Sequence, residues 1–558
     1  MQIKRPQFDT RIARSDMVAG LVLGLESIPD AMASAMLAMV NPIHGAYAVM
    51  LATPVGAIFA SSAYMSVQTT SAMSLVVASV PQVRSGSDPT GSLFMLAILT
   101  GLFMLTLGLL KMGRLLRFVP NSVLTGFING IAVLIVLGQL GDLTGYDTQG
   151  ASKVAEAINL FVNLNRVDLP TLAVGVATII LILQLEKTSL KALGMVAALL
   201  ITSLMVPLFN WDSVALVEDI AEIPRGLPRL VLPQLSTIFG LIVPAISLAF
   251  VGLVQGAGVS QNYVNPDGKY PDTSQDFVGQ GAGNIAAGIF QGMPVGGSVS
   301  ATAIVFNAGA RSRLANIFAG LTMAVVLLVF GGLVGKLALA SLAGLLIVIG
   351  FRTIRIDDAE LVWNTGQVQQ VVMGITFVAT LLIPLQFAVL LGVGISVLLF
   401  VIQQSNQIKV KQWVMTESGW PLEQEPPTAL PSNEVVMLVP YGSLFFASAG
   451  AFEEQLPDPT DETSNSVVVL VLALHSDLGS TMLEVIERYN KDLKKHKSKL
   501  MLTGVDPDVM AQLRLTGLMR KIGRRNVFEK QDLVGEAGHE AYEAAATWIE
   551  ERLEGEAN

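Results

Sequence analysis

From Met17 to Val83 the chain carries only three acidic or basic side chains, Glu26, Asp30 and His44. That run is long enough for about three crossings of a ~30 Å hydrocarbon layer. A water-soluble fold would place roughly a quarter of its residues as charges, whereas this chain of 558 residues is 14% charged and 52% hydrophobic. Mean hydropathy is +0.58. The chain is therefore expected to lie mostly within a lipid bilayer.

Apolar segments recur at 17–38, 44–62, 66–82, 93–111, 118–140, 170–185, 189–208, 236–260, 277–291, 294–308, 314–330, 334–350, 366–384 and 386–403. Several are too short to span as complete helices. Residues 1–16 carry Lys4, Arg5, Arg11 and Arg14 and are expected to be cytoplasmic. They do not read as the start of a signal peptide, because the apolar run that follows contains Glu26, Pro29 and Asp30 and continues past any cleavage point. With that end inside, the positive-inside rule assigns Lys111/Arg114/Arg117, Lys187/Lys191, Arg311/Arg313 and Arg352/Arg355 to cytoplasmic turns. The outer loop 209–235 holds Asp212, Glu218, Asp219 and Glu222 beside Arg225 and Arg229.

The transmembrane part is thus expected over 17–403. Residues 404–432, with Pro421, Pro426, Pro427 and Pro431, read as a linker. Beyond them, 433–558 change character. Strand-like runs at Val435–Pro440, Ser466–Leu474 and Lys499–Gly504 alternate with helical patterns at Ala449–Leu456, Ser480–Lys494, Pro507–Leu515 and Ala537–Leu553. This is the pattern of a small α/β domain.

A net charge of -9 without a basic face excludes a nucleic-acid partner. The absence of cysteine excludes disulfides and thiol chemistry. His44, His475, His496 and His539 are dispersed without metal-ligand spacing, and no nucleophile–base pair can be named. No metal, cofactor or enzymatic reaction is expected.

Two segments carry the functional signal. Ser66-Val-Gln68-Thr69-Thr70-Ser71 opens the third apolar segment and Pro294-Val-Gly296-Gly297-Ser298-Val-Ser300 the tenth, each third of seven if the crossings form two repeats. Paired short segments at corresponding positions point to a transporter's central site. A half-helix that starts inside the membrane presents unpartnered N–H groups and the positive end of its dipole, so two such starts can hold an anion. Thr69, Thr70 and Ser298 would add hydroxyl donors, and Gly296 and Gly297 would let the backbone approach. The competing reading is that these are small residues at helix contacts. Glu26 and Asp30, one turn apart, read as a site or proton-handling pair, or as groups near a vestibule. Gln255 reads as a substrate ligand or as an interhelical hydrogen bond. The run Gly279-Gln-Gly281-Ala-Gly283 reads as helix packing, since no strand precedes it.

At these positions the chain resembles the SulP family of inorganic anion transporters. The resemblance rests on Pro29-Asp-Ala-Met-Ala-Ser34, Asn41-Pro-Ile-His-Gly45-Ala-Tyr47, Ser61-Ser-Ala-Tyr-Met-Ser66-Val, Gly279-Gln-Gly-Ala-Gly-Asn284, Met293-Pro-Val-Gly-Gly-Ser-Val-Ser-Ala-Thr302 and Gly309-Ala-Arg-Ser-Arg313. Leu478-Gly-Ser-Thr481 and Leu513-Arg-Leu-Thr-Gly-Leu518 resemble a STAS domain. The resemblance implies an α-helical polytopic membrane protein built as a seven-plus-seven transmembrane inverted repeat, with core and gate domains. It also implies a homodimer in the cytoplasmic (inner) membrane and a cytoplasmic STAS domain that regulates it. Sulfate is the first expected substrate; bicarbonate, chloride or a dicarboxylate, and an anion channel or sensor, are the alternatives. The implied anion site is Gln68, Thr69, Thr70, Gly297 and Ser298, with Ser34 and Gln255 from the first and eighth segments. Many members have a carboxylate where this chain has Gln255 and an arginine where it has Ala301, which leaves Glu26 and Asp30 as coupling candidates. Asp477 is followed by Leu478 and Gly479 where phosphorylated anti-sigma antagonists place a serine, so that phosphorylation is not expected here.

Overall fold

The computed structural model describes residues 10–557, apart from 114–118, 151, 189, 191–192, 221–225, 232–234 and 417–420. The basic residues Lys4, Arg5, Arg114, Arg117, Lys191 and Arg225 lie outside the described residues. The chain divides into two compact units, Met1–Ser396 and Val397–Asn558.

The first unit is helical. Its membrane elements in order are α1 (Thr10–Leu37), α2 (Pro42–Phe59), β1 (Ser66–Gln68) running into α3 (Ser71–Ala78), α4 (Pro89–Leu109), α5 (Asn121–Gly138), α6 (Leu169–Leu185) and α7 (Leu193–Leu208). The second series is α8 (Ile238–Asn262), α9 (Thr273–Ile289), β2 (Gly296–Ser298) running into α10 (Val299–Asn307), α11 (Leu314–Gly335), α12 (Leu339–Thr353), α13 (Gln367–Leu382) and α14 (Leu385–Ser405), the last crossing the boundary between the units. Each series has seven members, and the third of each is a short strand followed by a half-length helix. The fourteen segments follow the seven-plus-seven order expected from the sequence.

Among the described residues, eight helices are long and apolar enough to cross a membrane, and α6, α7 and α13 are shorter apolar helices. The polar sequence of α9 sets it apart, because α9 packs between α2 and α4 and is shielded from lipid. Its glycines permit that packing. A Cβ on Gly279 would lie 2.8 Å from Ala60 N, and one on Gly281 2.7 Å from Leu105 N. The glycine run is therefore a helix-packing seam, as its sequence context indicated. Gly20 and Gly24 do the same for α1 against α11, where added Cβ atoms would meet Ala315 O at 2.5 Å and Thr322 Cβ at 2.6 Å.

The second unit contains a six-stranded sheet in the order β4-β3-β5-β6-β7-β8. Its strands are β3 (Lys409–Met415), β4 (Pro421–Gln424), β5 (Val435–Tyr441), β6 (Val467–Val471), β7 (Lys499–Val505) and β8 (Val527–Glu529). β5 to β8 are parallel, and β3 and β4 are antiparallel additions. Parallel strands bury both faces. Val436, Leu438, Val468 and Leu502 face α15 (Ala449–Glu453), α16 (Ser480–Lys495) and α17 (Pro507–Leu515). Met437, Val439, Val469 and Met501 lie under the C-terminal helix Glu536–Ala557 through Ala541, Ala545 and Ile549.

Residues 404–432 differ from the expected linker. They hold the end of α14 and the β3–β4 hairpin, which joins the sheet through β5. Pro421 opens an edge strand, where its missing N–H costs nothing, so the proline content alone gave no sign of the hairpin.

Candidate functional site

β1 and β2 pair antiparallel, with Ser66 opposite Ser298, Val67 opposite Gly297 and Gln68 opposite Gly296. The two segments singled out in the sequence, 230 or so residues apart, are thus neighbours. Extended backbone cannot be left unpaired at membrane depth, and surrounding helices complete what two three-residue strands cannot satisfy. Gly297 N donates to Gln280 Oε1 at 2.9 Å, Val295 N to Asn284 Oδ1 at 2.9 Å, and Asn284 Nδ2 to Val295 O at 2.7 Å. On the other strand Ser66 N donates to Thr302 Oγ1 at 3.1 Å, and Thr53 Oγ1 donates to Val67 O at 2.9 Å. Gln280 and Asn284 were not among the residues picked from the sequence. Their signal was present: two buried amides one turn apart on a glycine-rich helix.

Each strand delivers the chain to a capped helix start. The Thr70 side chain accepts Met73 N at 3.3 Å, and that of Ser298 accepts Ala301 N at 3.2 Å. A cap answers one of the several N–H groups that a first turn leaves without intrahelical partners. The antiparallel register puts the two positive dipole ends, about half a charge each, at either end of the strand pair: α3 starts beyond Gln68 and α10 beyond Ser298. Neither half-helix contains a lysine or arginine. Ala301 is buried in an apolar cluster with Ala19, Leu23 and Tyr64, so no fixed cation stands there.

The named side chains divide into two groups. Thr70 Oγ1 donates to Gln255 Oε1 at 3.0 Å, so these two partner one another across α3 and α8. Gly296 and Gly297 lie against α8: a Cβ on Gly297 would be 2.9 Å from Gly256 Cα, and one on Gly296 3.2 Å from Gln255 Oε1. The backbone approach they permit is therefore to a helix, and the Gly297 N–H is already engaged by Gln280. In the second group, Gln68 Nε2, Thr69 Oγ1 and Ser34 Oγ are buried donors without a hydrogen-bond partner. Buried polar groups are almost always satisfied, which makes these three donors, on the third segment and on α1, candidates for contacting a ligand. Gln68 is oriented by Ser27, whose hydroxyl donates to Gln68 Oε1 at 3.1 Å. Glu26, Asp30 and Ser34 follow at four-residue spacing on α1, on one side of the helix. Glu26 is buried and its Oε2 is unpartnered.

Ser300, second residue of α10, was also missed. It is exposed, and its Oγ lies 3.2 Å from Ser298 Oγ. Two fully buried carboxylates fix the flanking loops. Asp276 accepts from Ser61 N and Ser62 N at 2.8 Å each and from Ser260 Oγ at 2.6 Å. Asp16 accepts from Arg311 N at 2.6 Å and Ser312 N at 3.0 Å. No group of three or more acidic, histidine or cysteine side chains could hold a metal among the described residues.

The sulfate permease family pattern matches residues 14–376, and the STAS domain pattern matches residues 427–533. YvdB of Bacillus subtilis (strain 168), named for sulfate transport, is 26% identical over 93% of this chain and 96% of its own length. The bicarbonate transporter BicA of Picosynechococcus sp. (strain ATCC 27264 / PCC 7002 / PR-6) is 24% identical over 71% of each chain. The structure of the murine solute carrier 26 family member A9 anion transporter in its inward-facing state superposes with a TM-score of 0.81 at 16% identity, covering 98% of this chain and 92% of that one. That likeness shows the fold alone. The family match spans most of the membrane unit, including both strand–half-helix segments, and on that ground the chain belongs to the sulfate permease family.

Proposed function

We propose that this protein is a secondary carrier of a small inorganic anion, sulfate first, working by alternating access. The observation that carries the reading is that two strand-to-half-helix segments pair with one another, carry unpartnered buried donors at Gln68 and Thr69, and hold no lysine or arginine in either half-helix. Such a place attracts an anion through dipoles and neutral donors, and weak, reversible capture is what a carrier needs. In this reading Gln68, Thr69, Ser34, Ser298 and Ser300 contact the anion, while Thr70, Gln255 and Gly297 hold the helix starts in place. Asp30 and Glu26 are the candidates for coupling to a cation, because a carboxylate inside a bundle is otherwise costly. The protein would sit as a homodimer in the cytoplasmic membrane, with its N-terminus and STAS domain inside and the STAS domain modulating flux. The names of the relatives support sulfate and, second, bicarbonate.

The test is a flux panel in proteoliposomes, with labelled sulfate, bicarbonate, chloride and succinate, each with and without a proton gradient. Concentrative, saturable uptake of sulfate supports the proposal. Passive flux that only follows the electrochemical gradient favours a channel, and no flux of any of the four overturns it.

A further inference from the structure

A cavity of about 660 Å³ opens at the far end of α1 from the N-terminus. It is walled by the α1–α2 turn, the end of α5 and the short helix Leu140–Thr144, the starts of α6 and α12, and the helix Lys153–Val162. None of the proposed anion ligands lines it. The volume lies within the ~300–1,000 Å³ of small-molecule sites. Its walls are unlike one another. Leu37, Val40 and Leu339 supply an apolar side. The lining also carries Asp142, Asp147 and Glu156 against a single cation, Lys153. Lys153 is committed, with its Nζ 2.8 Å from Glu156 Oε2. Asp142 and Asp147 form no salt bridge among the described residues, although Lys153 lies close enough to Asp142 to act on its charge; Asp147 is exposed. Gln139, only 1% exposed and with its amide oxygen unpartnered, belongs to the same lining.

We propose that this cavity binds an amphiphilic organic cation, a protonated amine on an apolar body. Three carboxylates against one ammonium in the lining repel an anion and attract an ammonium group, while the apolar residues take the carbon body. A bare metal ion is a poor fit, since no three ligating side chains come together there among the described residues. The occupant would touch both α1, which carries Glu26, Asp30 and Ser34, and α12, which packs against it. Bound, it would wedge these helices and slow anion turnover without competing for the anion. On the orientation proposed above, the cavity opens outside the cell.

The test uses the full-length protein in lipid nanodiscs and calorimetric titration with hexylammonium, with hexanoate as the charge-inverted control. Hexylammonium should bind saturably and hexanoate should not. The double variant Asp142→Asn/Asp147→Asn should weaken binding roughly tenfold or more, as expected for losing charge-assisted hydrogen bonds. Thr148→Lys, which adds a cation to the lining, should abolish it. Equal binding of hexanoate, no binding of hexylammonium, or unchanged affinity in either variant overturns the proposal. This binding readout does not depend on whether the protein carries anions; inhibition of flux is a separate measurement.

Discussion

Thr69→Val separates a structural hydroxyl from a ligand-binding one. Thr69 is 1% exposed and its Oγ1 has no partner. Valine has nearly the same shape, so the substitution leaves no cavity and removes one buried, unsatisfied polar group. Leaving such a group unsatisfied costs about 1–3 kcal/mol, and the variant should therefore unfold at a midpoint equal to or above that of the parent. The effect on substrate has the opposite sign. A hydrogen bond to a charged partner contributes about 1.5–3 kcal/mol, so anion affinity should fall roughly tenfold to a hundredfold. Its neighbour Thr70 provides the contrast. Its hydroxyl caps α3 and reaches Gln255, so Thr70→Val should lower stability by about 1–2 kcal/mol, the usual cost of losing a cap. The assay is paired: thermal unfolding by intrinsic fluorescence and equilibrium anion binding, both on monodisperse protein in nanodiscs. A destabilised Thr69→Val, or one that binds anion like the parent, refutes the assignment of Thr69 as a ligand.

Gly297→Ala should impair assembly more than affinity, because its Cβ would meet the Gly256 backbone at 2.9 Å and overpacking costs about 1–3 kcal/mol; a stable variant with normal yield would contradict this. Asp30→Asn should fold and bind anion but change the pH profile of uptake, and an unchanged profile in proteoliposomes removes Asp30 from coupling. In the STAS domain, burial lowers the pKa of His475, whose Nε2 lies 3.2 Å from Pro440 O. The unfolded chain then binds the proton first as pH falls through its value of 6.5, so stability is complete above that pH and declines below it. Protection factors of β5 and β6 amides in the full chain, that is, exchange corrected for the intrinsic rate at each pH, should fall between about pH 7 and pH 5, and His475→Gln should flatten that dependence.

The fourteen segments were legible because hydropathy reports membrane burial directly, and the half-helices were legible because they are short and begin with hydroxyl and glycine residues. Their pairing was not readable from local pattern. β1 and β2 are joined by hydrogen bonds between residues far apart in the chain, and nothing in Ser66–Gln68 names Gly296–Ser298 as its partner. The division of labour within the site was hidden for the same reason. Thr69 and Thr70 look alike in sequence, yet one is an unpartnered buried donor and the other is occupied by Met73 and Gln255. Gln255 had been open between substrate ligand and interhelical bond, and its contact with Thr70 is of the second kind. Gln280 and Asn284 were overlooked because the glycines around them were correctly explained by packing, and that explanation absorbed the polar residues as well. The β3–β4 hairpin was masked by prolines and by lysines at alternate positions, which suit a sheet edge as well as a linker.

The central claim is that an anion sits between the starts of α3 and α10. Selenate, which matches sulfate in shape and charge and scatters anomalously, tests this in crystals of the protein soaked at saturating concentration. A single anomalous peak within roughly 3–4 Å of Thr69 and Ser298 side-chain oxygens, at hydrogen-bonding range to the selenate oxygens, is the expected result. That peak should weaken in crystals of Thr69→Val. A peak elsewhere in the bundle, or none at a concentration that blocks sulfate binding in solution, would show that the paired half-helices are a structural crossing and not the substrate site.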